Sequence, residues 1–420
     1  LAERIFVLKT DNPKMKAPAS QPADDLPLIR TSPEFSLFAG GPFFWLLCWA
    51  GLSDDKLRRL PRAIAVLPLL AWLPLLVLSA VAGQLFAGSA PVAFLPDLEV
   101  HIRFLIALPL LMIAEIAVQQ RMYPLLSEFL ERNLIPEGAL AQFEIAVKSA
   151  FRVRNSALPE ILLLVFVYGI GVLVIWRHYV ALETAAWYAT PSPGGSSLTL
   201  AGIWYGYVSL PIFQFILCRW YFRLFIWARF LWQVSRIKLS LVPTHPDRLG
   251  GLGFVSHANN SLVTLAAAHG ALLAGYLSTR VLLVGTPLTQ FKGEISIMVI
   301  FVLCLTLCPL LVFVPQLYKT KRTGRREYGT LAVQYVRDFD AKWLRGGAAD
   351  REHFVGSPDI QSLADLANSY QVVQTMRATP VTKDTVLLIA VATLVPIAPF
   401  LLTMMPLEEL LKKLLGILFK

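Results

Sequence analysis

The sequence predicts an all-α membrane protein: a polytopic bundle of about seven transmembrane helices, with helical segments outside the bilayer and amphipathic helices at its surface. Three observations carry this. The 420 residues are 56% hydrophobic and only 16% charged, with a mean hydropathy of +0.59, whereas soluble domains are roughly half apolar and a quarter charged. Apolar runs of roughly 20 residues, the length that crosses a hydrocarbon core near 30 Å, recur along the chain. The segments between them alternate between crowded and nearly empty of Lys and Arg.

The spans are residues 63–83, 102–119, 157–176, 201–218, 261–284, 295–317 and 384–404. Summed over the connecting segments, 31 Lys and Arg fall on one side and 5 on the other. Cytoplasmic loops collect positive charge, so the expected orientation is N-terminus inside and C-terminus outside. The same bias explains the net charge of +10 without a nucleic-acid partner. The expected partners are the bilayer, its anionic headgroups and further copies of the same chain.

The rest of the chain divides around these spans. Residues 1–34 are a polar, proline-containing tail without the apolar stretch of a signal peptide. Residues 35–62 read as an interfacial or re-entrant helix, interrupted by Gly40-Gly41-Pro42, and a basic linker. Residues 63–317 form the main transmembrane domain with cytoplasmic loops 120–156 and 219–257. Residues 318–383 form a cytoplasmic helical segment with helices over 328–344 and 358–376. Ser357-Pro358-Asp359 is a good start for the second, with an N-cap, Pro at the first helical position and an acid in the first turn. Two such helices cannot enclose a core, so they pack on the membrane domain, on loop 120–156 or on a neighbouring subunit. After the last span, residues 405–420 put leucines on one face and charges on the other, which predicts an amphipathic surface helix.

Candidate functional residues fall into three groups. Ionisable side chains inside spans are functional candidates by default: Glu115 in the second span, His269 in the fifth, and Arg280 nearer the outside, where His101, Arg103 and His178 also collect. Small residues surround His269, so it faces the bundle, at a depth where it could pair with Glu115. Glu160, at the inner end of the third span, can be solvated. The second group is the stretch VPTHPDRLGGLGF at 242–254. Its structural reading is a chain reversal: Thr244 caps a one-turn helix, Gly250 ends it with positive φ, and Gly251 and Gly253 permit close backbone approach. His245, Asp247 and Arg248 are left over after those needs are met. Their spacing matches no zinc motif, and no metal site is assigned. The third group is Arg219, Arg223 and Arg229, interleaved with aromatics over 219–238. These read as lipid or anion ligands or, more simply, as a snorkelling belt at headgroup level.

No cofactor is identified. A haem held by His101 and His178 conflicts with their place at helix ends near water. Cys48, Cys218, Cys304 and Cys308 form no CxxC and read as small buried hydrophobes.

GGP at 40–42, DLEVHIRFLIALPLLMIAE at 97–115, RWYFRLFIWARFLW at 219–232, THPDRLGGLGF at 244–254 and SPDIQSLADLANSY at 357–370 together resemble an uncharacterised group of bacterial polytopic inner-membrane proteins. The resemblance covers nearly the whole chain and implies architecture and location, with no activity attached. Three functions stay open: a transporter or channel using Glu115 and His269; a membrane enzyme acting on a lipid or polyprenyl-phosphate through His245, Asp247 and Arg248; and an assembly protein. The absence of GxSxG, P-loop and GxGxxG patterns argues against hydrolases of that type, kinases and dinucleotide enzymes.

Overall fold

A computed structural model describes residues 40–53, 59–86, 92–122, 124–180, 186–192, 195–347, 353–354 and 356–403, the side chains of 174–180, 191–192, 195–196, 283 and 402–403 excepted. The described chain is an integral membrane protein built almost wholly of helices. Six helices are long and apolar enough to cross a bilayer, and a bent pair raises the number to seven.

Helix α1 (Pro42–Trp49) has eight residues, about 12 Å at 1.5 Å per residue, too short to cross. The spanning helices are α2 (Leu60–Val81), α3 (Leu98–Ile102 running through a π-helical turn into Leu108–Met122), the pair α4 (Glu137–Asn155) and α5 (Ala157–Leu173) bent by 45°, α6 (Leu200–Arg236), α7 (Gly253–Leu282), α8 (Leu288–Leu344) and, after α9 (Pro358–Thr375), α10 (Lys383–Leu401). Pro68 and Pro74 sit inside α2; in lipid, neighbouring groups re-satisfy the backbone that proline frees. A two-stranded hairpin, β1 (Ala189–Ser192) and β2 (Gly195–Leu198), lies before α6.

Helix α7 is the centre of the bundle. Of its most apolar stretch 67% is buried, against 28% in α2, α8 and α10. It packs against α3 and α10, and its row of small residues explains why. A Cβ on Gly270 would stand 2.1 Å from the Thr393 carbonyl oxygen of α10, so the two backbones touch where only glycine fits.

The basic segments converge at one end. Ser240 N–H donates to Leu134 O (2.8 Å), Arg377 N–H to Arg248 O (2.8 Å), and the Gln316 amide to the carbonyls of Ser235 and Ile237. At the opposite end Asp97 caps α3 and accepts from Trp187 Nε1 (3.0 Å), and Trp72 Nε1 donates to His101 Nδ1 (2.8 Å).

Several sequence expectations need correction. The helix placed at 328–344 is not separate, because α8 continues without a break from the sixth span to Leu344. Its polar half pairs with α9, and the root of this hairpin rests on the 242–254 turn: Val373 and Met376 are fully buried, near Gly324 and Gly250. Ser357 does cap α9, accepting from Asp359 N–H at 3.1 Å. The cysteines form no disulfide, as expected, but are not buried: Cys304 and Cys308 are exposed on the side of the bundle, Cys48 and Cys218 half-buried, because the lateral face of a membrane protein is apolar and a thiol is tolerated there. The amphipathic stretch 405–420 and the His178 side chain lie outside the described residues.

Candidate functional site

The bundle buries four charged side chains, Glu115, Glu160, Arg219 and Arg223, among apolar contacts. Helix α6 buries a stripe through Ile216, Arg219, Trp220, Arg223, Trp227 and Phe230, and both arginines lie in it, 1% and 0% exposed. Arg219 Nη1 donates to Glu115 Oε1 of α3 at 2.7 Å, and its Nε stands 3.7 Å from Glu160 Oε1 of α5. Arg223 Nη2 donates to Gly40 O (2.9 Å) and to Glu160 Oε1 (3.4 Å). Glu115 and Glu160 are 5% and 3% exposed. Two acids and two arginines make the group neutral in sum, the condition under which charges persist in an apolar interior.

Helix α1 completes the site. The Phe43 N–H donates to Glu160 Oε2 at 2.7 Å, and the Phe43 ring stacks under the Arg219 guanidinium at 5.1 Å. The approach depends on Gly41, at φ 91°, where a Cβ would stand 2.5 Å from Glu160 Oε1. The interruption GGP therefore has a physical reason: it turns the N-terminus of a short helix, the positive end of its dipole, onto a buried carboxylate. Beside this contact a groove of about 540 Å³ opens laterally, lined by Leu46, Tyr168, Tyr207, Pro211 and Phe215, with Glu160 among its walls.

This arrangement corrects four expectations. Glu115 pairs with Arg219, not with His269. His269, 2% exposed, places Nε2 3.0 Å from Tyr221 Oη and Nδ1 2.8 Å from Leu265 O. Glu160 is enclosed, not solvated. Arg219 and Arg223 reach neither headgroup nor water, because on α6 they share the core-facing side with Trp220 and Trp227; only Arg229, half-buried on the other side, retains the belt reading. Setting those two arginines aside leaves 29 basic residues against 5, so the charge bias is unaffected. Of the residues expected at the far end, Arg280 is exposed over Tyr276 (5.2 Å), while Arg103 bonds to Glu99 and Tyr205.

Residues 243–252 of this stretch form successive turns and not a one-turn helix, with no cap from Thr244, and Gly253 and Phe254 already belong to α7. Asp247 organises it. Its Oδ1 accepts from Leu249 N–H (2.7 Å) and Gly251 N–H (3.2 Å), its Oδ2 from Gly253 N–H (2.8 Å), and His245 Nδ1 stands 2.9 Å from Oδ1. Three amides converging on one carboxylate curl the backbone tightly, which puts Arg248, Gly250 and Gly251 at φ 57°, 65° and 101°. Positive φ at Gly250 was legible; the reason for it was not. A cleft of about 480 Å³ lined by Arg121, Glu128, Arg132, Asp247, Phe254 and His257 adjoins the turn. Among the described residues no group of three or more His, Cys, Asp or Glu side chains is placed to hold a metal.

Burial pushes the Asp247 carboxyl up, but the three amides and the His245 ring outweigh it, and the carboxyl titrates below the usual carboxylate range. A carboxylate held lower in the fold than in the unfolded chain stabilises the fold at neutral pH, and that contribution disappears as pH falls through its depressed value. Asp247→Asn turns a donor towards a donor, so it is expected to cost about 2 kcal/mol at neutral pH. The gap to wild type should narrow on acidification. Denaturant titrations at neutral and acid pH check both statements.

Comparison of the chain with family models, curated proteins and solved structures finds no match.

Proposed function

We propose that this protein is a proton-coupled transporter of a bacterial inner membrane, its basic end and N-terminus in the cytoplasm and its C-terminus in the periplasm, and that Glu160 is the coupling group. The observation that carries the reading is the buried quartet of Glu115, Glu160, Arg219 and Arg223. Charges within a membrane domain are costly and mark ion or substrate paths. A purely structural contact there is served as well by apolar packing. A short helix aimed by its N-terminus at a charged site inside the membrane is also how carriers with broken helices hold their ligands.

Glu160 is the member suited to change state, because arginine does not deprotonate and Glu160 alone of the four lines the lateral groove. Protonating it removes the charge that Arg223 and the Phe43 amide hold. Arg223 can then exchange Glu160 for an anionic group of a substrate. The enzyme reading loses ground at the same place it began, since the Asp247 carboxylate is saturated by its own loop and makes a poor base.

The test is proton entry into liposomes that contain the protein and a trapped pH indicator dye, under an inward proton gradient with the membrane potential clamped. Entry should depend on the protein. It should fall about tenfold or more in Glu160→Gln, which corresponds to about 1.4 kcal/mol on the limiting barrier. Entry that is equal in wild type, Glu160→Gln and Glu115→Gln overturns the proposal.

A further inference from the structure

A second lateral groove, of about 680 Å³, lies between α6 and α8 on the face of α6 opposite the quartet. Its walls are Tyr221, Phe225, Arg229 and Trp232 from one helix and Cys304 and Cys308 from the other. The groove exists for a local reason. Pro309 starts a 3₁₀ segment, Cys308–Phe313, inside α8, and the tighter winding of such a segment draws the chain in where α6 offers only Ala228. Small residues face each other there and leave the space unfilled.

Its depth follows from two contacts. The Gln316 amide bonds to Ser235 O and Ile237 O, so the end of the apolar run of α8 is level with the end of α6. At the other extreme Tyr221 meets Phe301 and His269 in the interior (ring centroids 6.2 and 5.8 Å). Tyr221 and Arg229 are eight residues apart, about 12 Å along a helix, most of one leaflet of a roughly 30 Å core. Arg229 makes no ion pair, hydrogen bond or ring contact with any other described residue, whereas Arg236 one turn beyond Trp232 packs on that indole at 5.1 Å.

We infer that this groove is a binding site for one anionic phospholipid of the leaflet at the basic end, its acyl chain lying between Phe225 and Cys308 towards Tyr221 and its phosphate on Arg229. The chemistry is complementary at both ends: an apolar trough of leaflet length for the chain, and at its rim, for the phosphate, a guanidinium with no ion-pair partner among the described residues. Trp232 beside Arg229 marks the level where indoles and headgroups meet. The site does not depend on the transport reading and uses none of the quartet.

Native mass spectrometry of the full chain, released from micelles doped with equal phosphatidylglycerol and phosphatidylcholine of the same acyl length, reads the retained lipid directly. Wild type should hold one phosphatidylglycerol in preference to phosphatidylcholine. Arg229→Gln should lower that preference about fivefold, the worth of one basic residue at an anionic surface, and Arg229→Lys should keep most of it. Ala228→Phe, which fills the trough without touching charge, should reduce retention of both lipids; Ala228→Leu serves if the larger ring disturbs folding, judged by helicity and elution. Arg280→Gln, at the other end, should change nothing. Equal retention of the two lipids by wild type overturns the inference, as does loss in Arg229→Gln with full retention in both Ala228 variants, or a lipid-free dimer that covers the groove.

Discussion

Arg219→Leu is expected to destabilise the protein by about 3–5 kcal/mol, the cost of leaving a buried acid without its partner. Glu115 has Arg219 at 2.7 Å, inside an interior that offers it no water. Replacing both partners, with Glu115→Leu and Arg219→Met together, removes the pair as a unit and leaves Glu160 its own partner, Arg223. That double variant should return to within about 1 kcal/mol of wild type, since apolar residues of similar volume replace buried ion pairs at little or no cost. Unfolding by SDS titration in bicelles, followed by circular dichroism, measures all three. The outcome also bears on function. A double variant that folds as well as wild type but no longer passes protons shows that the pair is kept for transport and not for stability. Equal destabilisation by single and double variants would show instead that the quartet is a structural clamp.

Gly270→Ala should cost about 3 kcal/mol, at the upper end for inserting one methyl group into a packed interior. The added carbon would stand 2.1 Å from Thr393 O and 2.8 Å from its carbonyl carbon. These are backbone atoms, so no rotamer change relieves the contact and α7 must part from α10. Gly275, five residues on in the same helix, provides the contrast. A Cβ there meets nothing nearer than 3.5 Å, and alanine gains up to about 1 kcal/mol of helix propensity over glycine. Gly275→Ala is therefore expected to be neutral or slightly stabilising. The same SDS titration separates the two, and equal effects at both positions would refute the close approach of α7 and α10.

Most of the membrane architecture was legible because the bilayer imposes it on composition. A run such as 63–83 has no other use for its residues, and the surplus of Lys and Arg on alternate segments persists even though two of the arginines counted, Arg219 and Arg223, belong to the interior. Their burial had a signal of its own. They follow Ile216 and precede Trp227 and Phe230 at helical spacing, on one stripe of α6, while Phe225, Arg229 and Trp232 occupy another. Aromatic residues on both faces hid the difference, because the apolar pattern of a membrane helix runs all the way round.

The partners of the ionisable residues were not legible. Glu115 and His269 looked matched in depth, but depth is one coordinate, and the rotation of α3 and α7 about their own axes decides which neighbour each side chain meets. The interruption at Gly40-Gly41-Pro42 was visible as a break, while its target, Glu160, lies more than a hundred residues away. The 242–254 turn shows the same division within thirteen residues. Glycines where φ is positive follow from local sterics and could be expected. That Asp247 would spend its carboxylate on three amides of its own loop depended on the folded path. The sequence alone determined that this chain is a bundle of membrane-spanning helices with one basic end, since hydrophobicity and charge act on each segment independently of the rest. Only the tertiary structure decided that four charges meet and neutralise one another inside it, because the energy of a buried charge depends on what lies within a few ångströms, and that is set by helix rotation and crossing.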